Sequence, residues 1–138
     1  RNTHTLVHQI ANQVSGPVTE NLLYEIAAGV GTIASSGSSL TTGPRTAGGK
    51  LNDFMTPLEC RFTGEISHKA ASIAPKKMNE IVKELLPRYE DTLKDPDVGL
   101  SFQEAYDVDA LKPIPEWEEI YRRVKREVTE LGIPLDPF

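Results

Sequence analysis

Four side chains near the middle of the chain are of the types that perform general acid–base chemistry. They are Glu59, Arg61, Glu65 and His68. All four would project from one helix, and Glu65 and His68, three positions apart, would lie on the same face of it. General acid–base catalysis also needs a substrate within hydrogen-bond reach of these groups. The structural alternative is that Glu59 caps the helix and that Glu65 and His68 pair with each other.

Two histidines near the start have a spacing that suits metal ligands. His4 and His8 are four positions apart, so a helix would place both on one face. The intervening Thr5-Leu6-Val7 lacks the glutamate of the zinc-protease motif, and no third ligand is close in sequence. We therefore predict two exposed or interface histidines and no metal site.

The single cysteine, Cys60, excludes a disulfide within the chain and suits the reducing cytoplasm, where we expect the protein to be located. Its neighbour Arg61 would lower the pKa of an exposed thiol. The alternative is a structural role, in which Cys60 is buried and packs against Met55 as a hydrophobic staple across the start of a helix. We predict the buried, structural cysteine.

A segment poor in apolar side chains divides the sequence. Eleven of the sixteen residues from Ser35 to Lys50 are Gly, Ser or Thr, and only Leu40 is able to anchor a core. Its second half superficially resembles a phosphate-binding loop, but the lysine comes one residue late and Leu51 replaces the Ser or Thr that holds magnesium. We predict a mobile surface loop that carries Arg45 and Lys50.

Composition limits the classes of partner. The chain has 138 residues, 38% of them hydrophobic, and a formal net charge of -5. This acidity argues against nucleic acid or an anionic membrane as the main partner. We find no apolar run of membrane-spanning length and no signal peptide. Because the chain starts at Arg1 and an apolar pattern follows within a few residues, we expect a piece of a longer polypeptide.

Apolar residues recur with a helical period along most of the chain, and no segment alternates convincingly with the period of a half-buried strand. The predicted helices cover residues 6–14, 17–33, 56–73, 75–93, 101–106 and 115–131. Pro87 should break the fourth helix near Leu86. Thr56, Pro57 and Glu59 have the spacing of a capping box at the start of the third. The sequence therefore predicts a mainly α structure without a central sheet.

Two strings of sequence suggest a family. The first is Thr56-Pro57-Leu58-Glu59-Cys60-Arg61-Phe62-Thr63-Gly64-Glu65, and the second is Ser101-Phe102-Gln103-Glu104-Ala105-Tyr106-Asp107-Val108. In this order and at this separation they resemble the C-terminal end of monomethylamine methyltransferases. The similarity runs from about residue 15 to residue 132. It is low in identity and is best in the two strings and in the closing Glu130-Leu131-Gly132.

The resemblance implies a place for this chain in a (β/α)8 barrel protein of the TIM type. Residues 1–34 would supply barrel-associated helices, 35–55 the Gly/Ser/Thr-rich loop, and 56–138 a C-terminal helical region. Helices that lose their sheet expose apolar surface, so we expect homo-oligomers that form through the stripes of the first two helices.

The resemblance also implies a reaction. Enzymes of this family move a methyl group from monomethylamine to the Co(I) corrinoid of a partner protein, and pyrrolysine is their distinctive residue. The resemblance places pyrrolysine upstream, so it implies no catalytic residue in this chain, no cofactor bound by it, and no activity of the chain alone. Arg45 and Lys50 would help to dock the corrinoid protein. The alternative is a non-enzymatic helical interaction module.

Overall fold

A computed structural model describes residues 5–137, which form five α-helices and two pairs of very short strands. The strands are β1 (His8–Gln9), β2 (Leu40–Thr41), β3 (Tyr106–Asp107) and β4 (Lys112–Pro113). The helices are α1 (Glu20–Ser35), α2 (Pro57–Ala70), α3 (Pro75–Leu85), α4 (Phe102–Ala105) and α5 (Pro115–Leu131). The prediction of a mainly helical chain is confirmed. Among the described residues, no helix is long and apolar enough to cross a membrane.

The first three elements form a β–α–β unit. Strands β1 and β2 are parallel, with His8 opposite Leu40, and a further bridge pairs Asn12 with Arg45. Parallel neighbours require a long crossover connection, and α1 supplies it. With α2 following β2, the chain opens with the order β–α–β–α.

The helix predicted for residues 6–14 is wrong, because this segment is extended and pairs with residues 40–45. Its apolar side chains Leu6, Val7 and Ile10 are 79%, 41% and 47% exposed. A short apolar run fits a strand as well as a helix, and local periodicity does not separate the two. The deciding interaction is pairing with a segment more than thirty residues away. Within the predicted helical region 1–34, the described residues 5–34 are therefore not purely helical.

Helix α1 packs against α2, α3 and α5. It begins after Thr19, whose side chain accepts a hydrogen bond from the Leu22 N–H at 3.3 Å. Gly29 allows the close approach of β1's continuation, since a Cβ there would lie 3.3 Å from Ala11 Cβ. The apolar stripe of α1 is buried within the chain, so this stripe is not an exposed surface for self-association, and homo-oligomer formation itself stays a prediction.

The Gly/Ser/Thr-rich segment contains more structure than the predicted loop. It includes β2 and a 3-10 turn at Thr46–Gly49, in which Thr46 and Ala47 are buried. Leu40, the expected anchor, is 59% exposed. Backbone hydrogen bonds order the segment, including one from Ser39 N–H to Val7 O at 3.0 Å. Main-chain pairing therefore holds the segment where its small side chains could not.

Local sequence signals set the limits of the later helices. Pro57 occupies the first turn of α2, and the capping box of Thr56 and Glu59 is confirmed. Helix α3 ends at Leu85, and Pro87 lies in the 3-10 turn that follows, which confirms the predicted break. Helix α5 ends at Leu131 and is capped by Gly132, whose φ of 119° is in the left-handed region that favours glycine.

One core joins α1, α2, α3 and α5. The Phe62 and Tyr121 rings meet edge to face with centroids 5.6 Å apart, across α2 and α5. In the sequence between α3 and α5, the ring of Phe102 in α4 stacks on the ring of Tyr106, the first residue of the β3–β4 hairpin. The largest fully buried apolar side chains are Trp117, Tyr121, Phe62, Leu22, Leu23, Ile26, Ile66, Met78, Ile81, Leu85 and Ile133.

Candidate functional site

The carboxyl ends of β1 and β2 meet at one edge of the parallel pair, and the segments that leave them are in contact. The side-chain oxygen of Gln13 accepts a hydrogen bond from Arg45 N–H at 2.8 Å. The main-chain oxygen of Gln13 accepts one from Gly48 N–H at 2.7 Å. Ala47 N–H donates to Ser15 O at 2.9 Å. Binding sites of open α/β sheets lie at this edge, so these loops form the candidate site.

Arg45 and Lys50 both lie on this edge and are exposed. The Arg45 side chain lies over the turn between them, since a Cβ on Gly49 would lie 2.7 Å from Arg45 Nε. The fold therefore places the two predicted docking residues on one short, ordered segment. That segment begins four residues after the end of β2.

Two buried side chains that the sequence analysis missed hold the edge in place. The Glu25 carboxylate of α1 accepts hydrogen bonds from Val14 N–H at 2.6 Å and Ser15 N–H at 3.2 Å. Burial raises the pKa of Glu25, and the hydrogen bonds from Ser15 and Val14 oppose that rise. Gln13 is fully buried. The sequence did carry a signal for Glu25, because a glutamate within the apolar stripe of α1 is unusual. It carried no signal for Gln13, because the partners of Gln13 are distant in sequence.

The four acid–base candidates do not converge. Glu59 is fully buried at the start of α2, where its carboxylate accepts hydrogen bonds from the Thr56 N–H and hydroxyl. Burial raises its pKa to about 7, against the opposing effect of the Thr56 hydrogen bonds. His68 is exposed about two and a half turns further along the helix. Glu59 therefore has the structural role that the capping box predicts.

Arg61 and Glu65 belong to a polar cluster that joins α2 to α5. Glu65 accepts hydrogen bonds from Arg61 Nε at 2.9 Å, from the Tyr121 hydroxyl at 3.0 Å and from Lys125 Nζ at 2.7 Å. Partial burial raises the pKa of Glu65, but these three hydrogen bonds together outweigh it, and the pKa lies below its ordinary value. The predicted pairing with His68 is replaced by this cluster.

The predicted hydrophobic staple is wrong. Met55 is 52% exposed and Cys60 is exposed. The pKa of the Cys60 thiol is raised, first by desolvation and then by the negative charge of Glu59, so Arg61 does not activate it. Cys60, Gly64 and His68 line an open groove of about 430 Å³ between α2 and the end of β2.

The histidine pair is tested only in part, because His4 lies outside the described residues. His8 is exposed, and its Nε2 contacts the hydroxyl of Thr42, the residue that follows β2. Within residues 5–137, no group of three or more His, Cys, Asp or Glu side chains could hold a metal ion.

The sequence matches the family model of monomethylamine methyltransferase MtmB over residues 1–133. The chain belongs to the MtmB family. It is 31% identical over 119 residues to an MtmB of Methanosarcina mazei and 33% identical over 119 residues to MtmB2 of Methanosarcina acetivorans. Each alignment covers 86% of this chain but 26% of the relative. The family resemblance seen in the sequence is therefore confirmed.

The fold agrees with a solved MtmB. The crystal structure of the Methanosarcina barkeri monomethylamine methyltransferase superposes with a TM-score of 0.89 at 30% sequence identity. The superposition covers 96% of this chain and 29% of that protein. This chain spans between a quarter and a third of the length of the MtmB proteins it matches, and it has the same fold as the corresponding part.

Proposed function

We propose that the protein containing this chain transfers a methyl group from monomethylamine to the Co(I) corrinoid of a partner protein in the cytoplasm. The observation that carries the proposal is membership of the MtmB family along nearly the whole chain, with a TM-score of 0.89 to an MtmB structure. The relatives are monomethylamine methyltransferases. In the transfer, the C–N bond breaks, the electron pair of Co(I) forms the bond to the methyl carbon, and methylammonium nitrogen leaves as ammonia.

In this proposal the chain supplies the last two β/α units of a (β/α)8 barrel and a helical extension. The β–α–β–α order and the parallel pairing of β1 with β2 support it. Parallel sheets are normally covered on both faces, yet Leu6 and Ile10, which flank β1, and Leu40 of β2 are exposed. Further strands of the same polypeptide would cover them. In the isolated chain, this apolar face is the surface through which we expect copies to associate.

The reaction would take place at the carboxyl edge of the strands, which is where TIM barrels have their active sites. The chain would contribute the wall formed by residues 12–18 and 42–50. Arg45 and Lys50 would face the incoming corrinoid protein, and the chain itself would bind no cofactor. The runner-up, a helical interaction module, does not account for the parallel β–α–β unit or for the family.

The experiment measures methyl transfer from monomethylamine to a Co(I) corrinoid protein by the change in the corrinoid absorption spectrum. The full-length protein should turn over, whereas the isolated 138-residue chain should be silent, because a methyl transfer needs both reactants held in line. Turnover by the isolated chain would show that the assignment of the chemistry to the rest of the protein is wrong. A full-length protein without this activity would remove the proposed function.

A further inference from the structure

Main-chain hydrogen bonds join the segment between α3 and α4 to the loop that follows β1, although about eighty residues separate them. We call this contact, between residues 97–100 and residues 16–17, the clasp. Gly16 N–H donates to Asp97 O at 2.9 Å, and Leu100 N–H donates to Pro17 O at 3.0 Å. Both sides need glycine at the contact. A Cβ on Gly16 would lie 1.5 Å from Val98 O, and a Cβ on Gly99 would lie 1.9 Å from Pro17 O.

The clasped loop is in a strained conformation. Val18 has a φ of 68°, in the left-handed region that β-branched residues avoid. Such strain persists only where the surroundings over-determine the backbone. Here the Glu25 carboxylate binds the preceding Val14 and Ser15 N–H groups, and the Thr19 hydroxyl donates to Gly16 O at 2.7 Å. The loop is thus fixed by hydrogen bonds to Glu25 of α1, to Thr19 at its own C-terminal end, and to residues 97–100.

The same loop supports the segment that bears the docking residues. Ser15 O accepts the Ala47 N–H at 2.9 Å, directly beside the clasp. The loop after β2 also contacts residues 97–102 near its C-terminal end, where Phe102 N–H donates to Asp53 O at 2.6 Å. Residues 97–102 therefore touch both loops at the carboxyl edge of the parallel strands, and they do so through main-chain atoms.

We propose that residues 97–100 are a positioning element for the reaction at this edge, which fixes the strained loop 15–18 and, through it, the segment 45–50. The inference rests on the proposed function. Alignment of a methyl group with its acceptor is sensitive to displacements of about 1 Å, which cost on the order of a hundredfold in rate. A Cβ at Gly99 would force a displacement of at least that size between the two backbones.

The test uses Gly99→Ala in the full-length protein, with Gly37→Ala as the matched control. Both glycines have positive φ, at 68° and 83°, so alanine strains each backbone similarly, but a Cβ at Gly37 meets nothing within 4 Å. We expect kcat to fall at least about tenfold in Gly99→Ala, with a smaller change in the KM for methylamine. Gly37→Ala should retain the wild-type kcat.

Further variants distinguish a loss of rate caused by a displaced loop from a loss caused by general destabilisation of the protein. Kinetics are measured below the melting temperature of every variant, and Gly132→Ala, with φ of 119° and no atom nearer than 3.5 Å, reports strain far from the edge. Gly16→Ala opens the clasp from the other side, so the double variant with Gly99→Ala should lose little more than either single variant. If Gly99→Ala does not fold, Glu25→Gln tests the same loop with an isosteric side chain.

Hydrogen exchange of residues 14–18 and 46–48 gives a second readout. Both segments should exchange faster in Gly99→Ala and unchanged in Gly37→Ala. Folded Gly99→Ala and Glu25→Gln proteins with wild-type kcat would overturn the positioning role. If the wild-type protein transfers no methyl group, the proposed function fails first, and the inference fails with it.

Discussion

The indole N–H of Trp117 donates to the Thr56 hydroxyl at 3.0 Å, and both side chains are fully buried. The same hydroxyl donates to the Glu59 carboxylate. One threonine therefore connects the first turn of α5 to the capping box of α2. This buried arrangement makes the stability of the protein depend on the charge of Glu59.

Glu59→Gln should remove a pH dependence of stability. Burial raises the pKa of Glu59 from 4.5 to about 7, so the folded state binds this proton more tightly than the unfolded state. The resulting stabilisation is complete below pH 4.5 and is lost as the pH rises through 7. It amounts to about 3 kcal/mol.

Urea unfolding between pH 4.5 and 8 measures this effect. The wild-type free energy of unfolding should fall relative to that of Glu59→Gln as the pH rises. Glu104→Gln is the control, because Glu104 occupies an exposed capping box with Ser101 and its pKa is lowered by those hydrogen bonds. Parallel pH profiles for wild type and Glu59→Gln would contradict the prediction.

Replacing Glu65 should lower the free energy of unfolding more than replacing Lys125, the more deeply buried member of this ion pair. Lys125 Nζ is 2.7 Å from Glu65 Oε2, and the lysine side chain is 5% exposed. Glu65→Gln leaves the ammonium buried without this carboxylate and should cost about 3 kcal/mol. Lys125→Met should cost less. In denaturant titrations the double variant should lose less stability than the sum of the singles, and additive losses would rule out the coupling.

Gly64→Ala should stabilise the 138-residue protein by about 1 kcal/mol, because glycine is a poor helix former. Gly64 lies inside α2, and a Cβ there would meet no atom within 4 Å. Gly29→Ala is the comparison: it gains the same propensity in α1 but crowds Ala11 at 3.3 Å, so its melting temperature should be lower than that of Gly64→Ala. A Gly64→Ala protein with a lower melting temperature than the wild type would contradict the prediction.

Arg45→Ala combined with Lys50→Ala should weaken the encounter of the full-length protein with the corrinoid protein. The concentration of corrinoid protein at half-maximal methyl transfer should rise several-fold, on the order of 1 kcal/mol for rim charges, and the salt dependence should weaken. Lys76→Ala with Lys77→Ala removes the same charge from the start of α3, at the opposite end of α2 from these loops. An unchanged half-saturation value would exclude this segment from docking.

The sequence by itself determined the elements whose signals are local. Thr56, Pro57 and Glu59 specified the start of α2, and Gly132 specified the end of α5, because caps and helix breakers act within one turn. Pro87 likewise located the end of α3. Two short strings were also enough to identify the family.

Only the tertiary structure decided the parts that depend on distant partners. Residues 6–14 are extended because β2 pairs with them, and pairing over thirty residues leaves no local period. Glu65 meets Lys125 instead of His68 because α5 packs on α2. The clasp of Gly16 and Gly99 follows the same rule: main-chain hydrogen bonds between remote segments carry no side-chain pattern that a sequence could display.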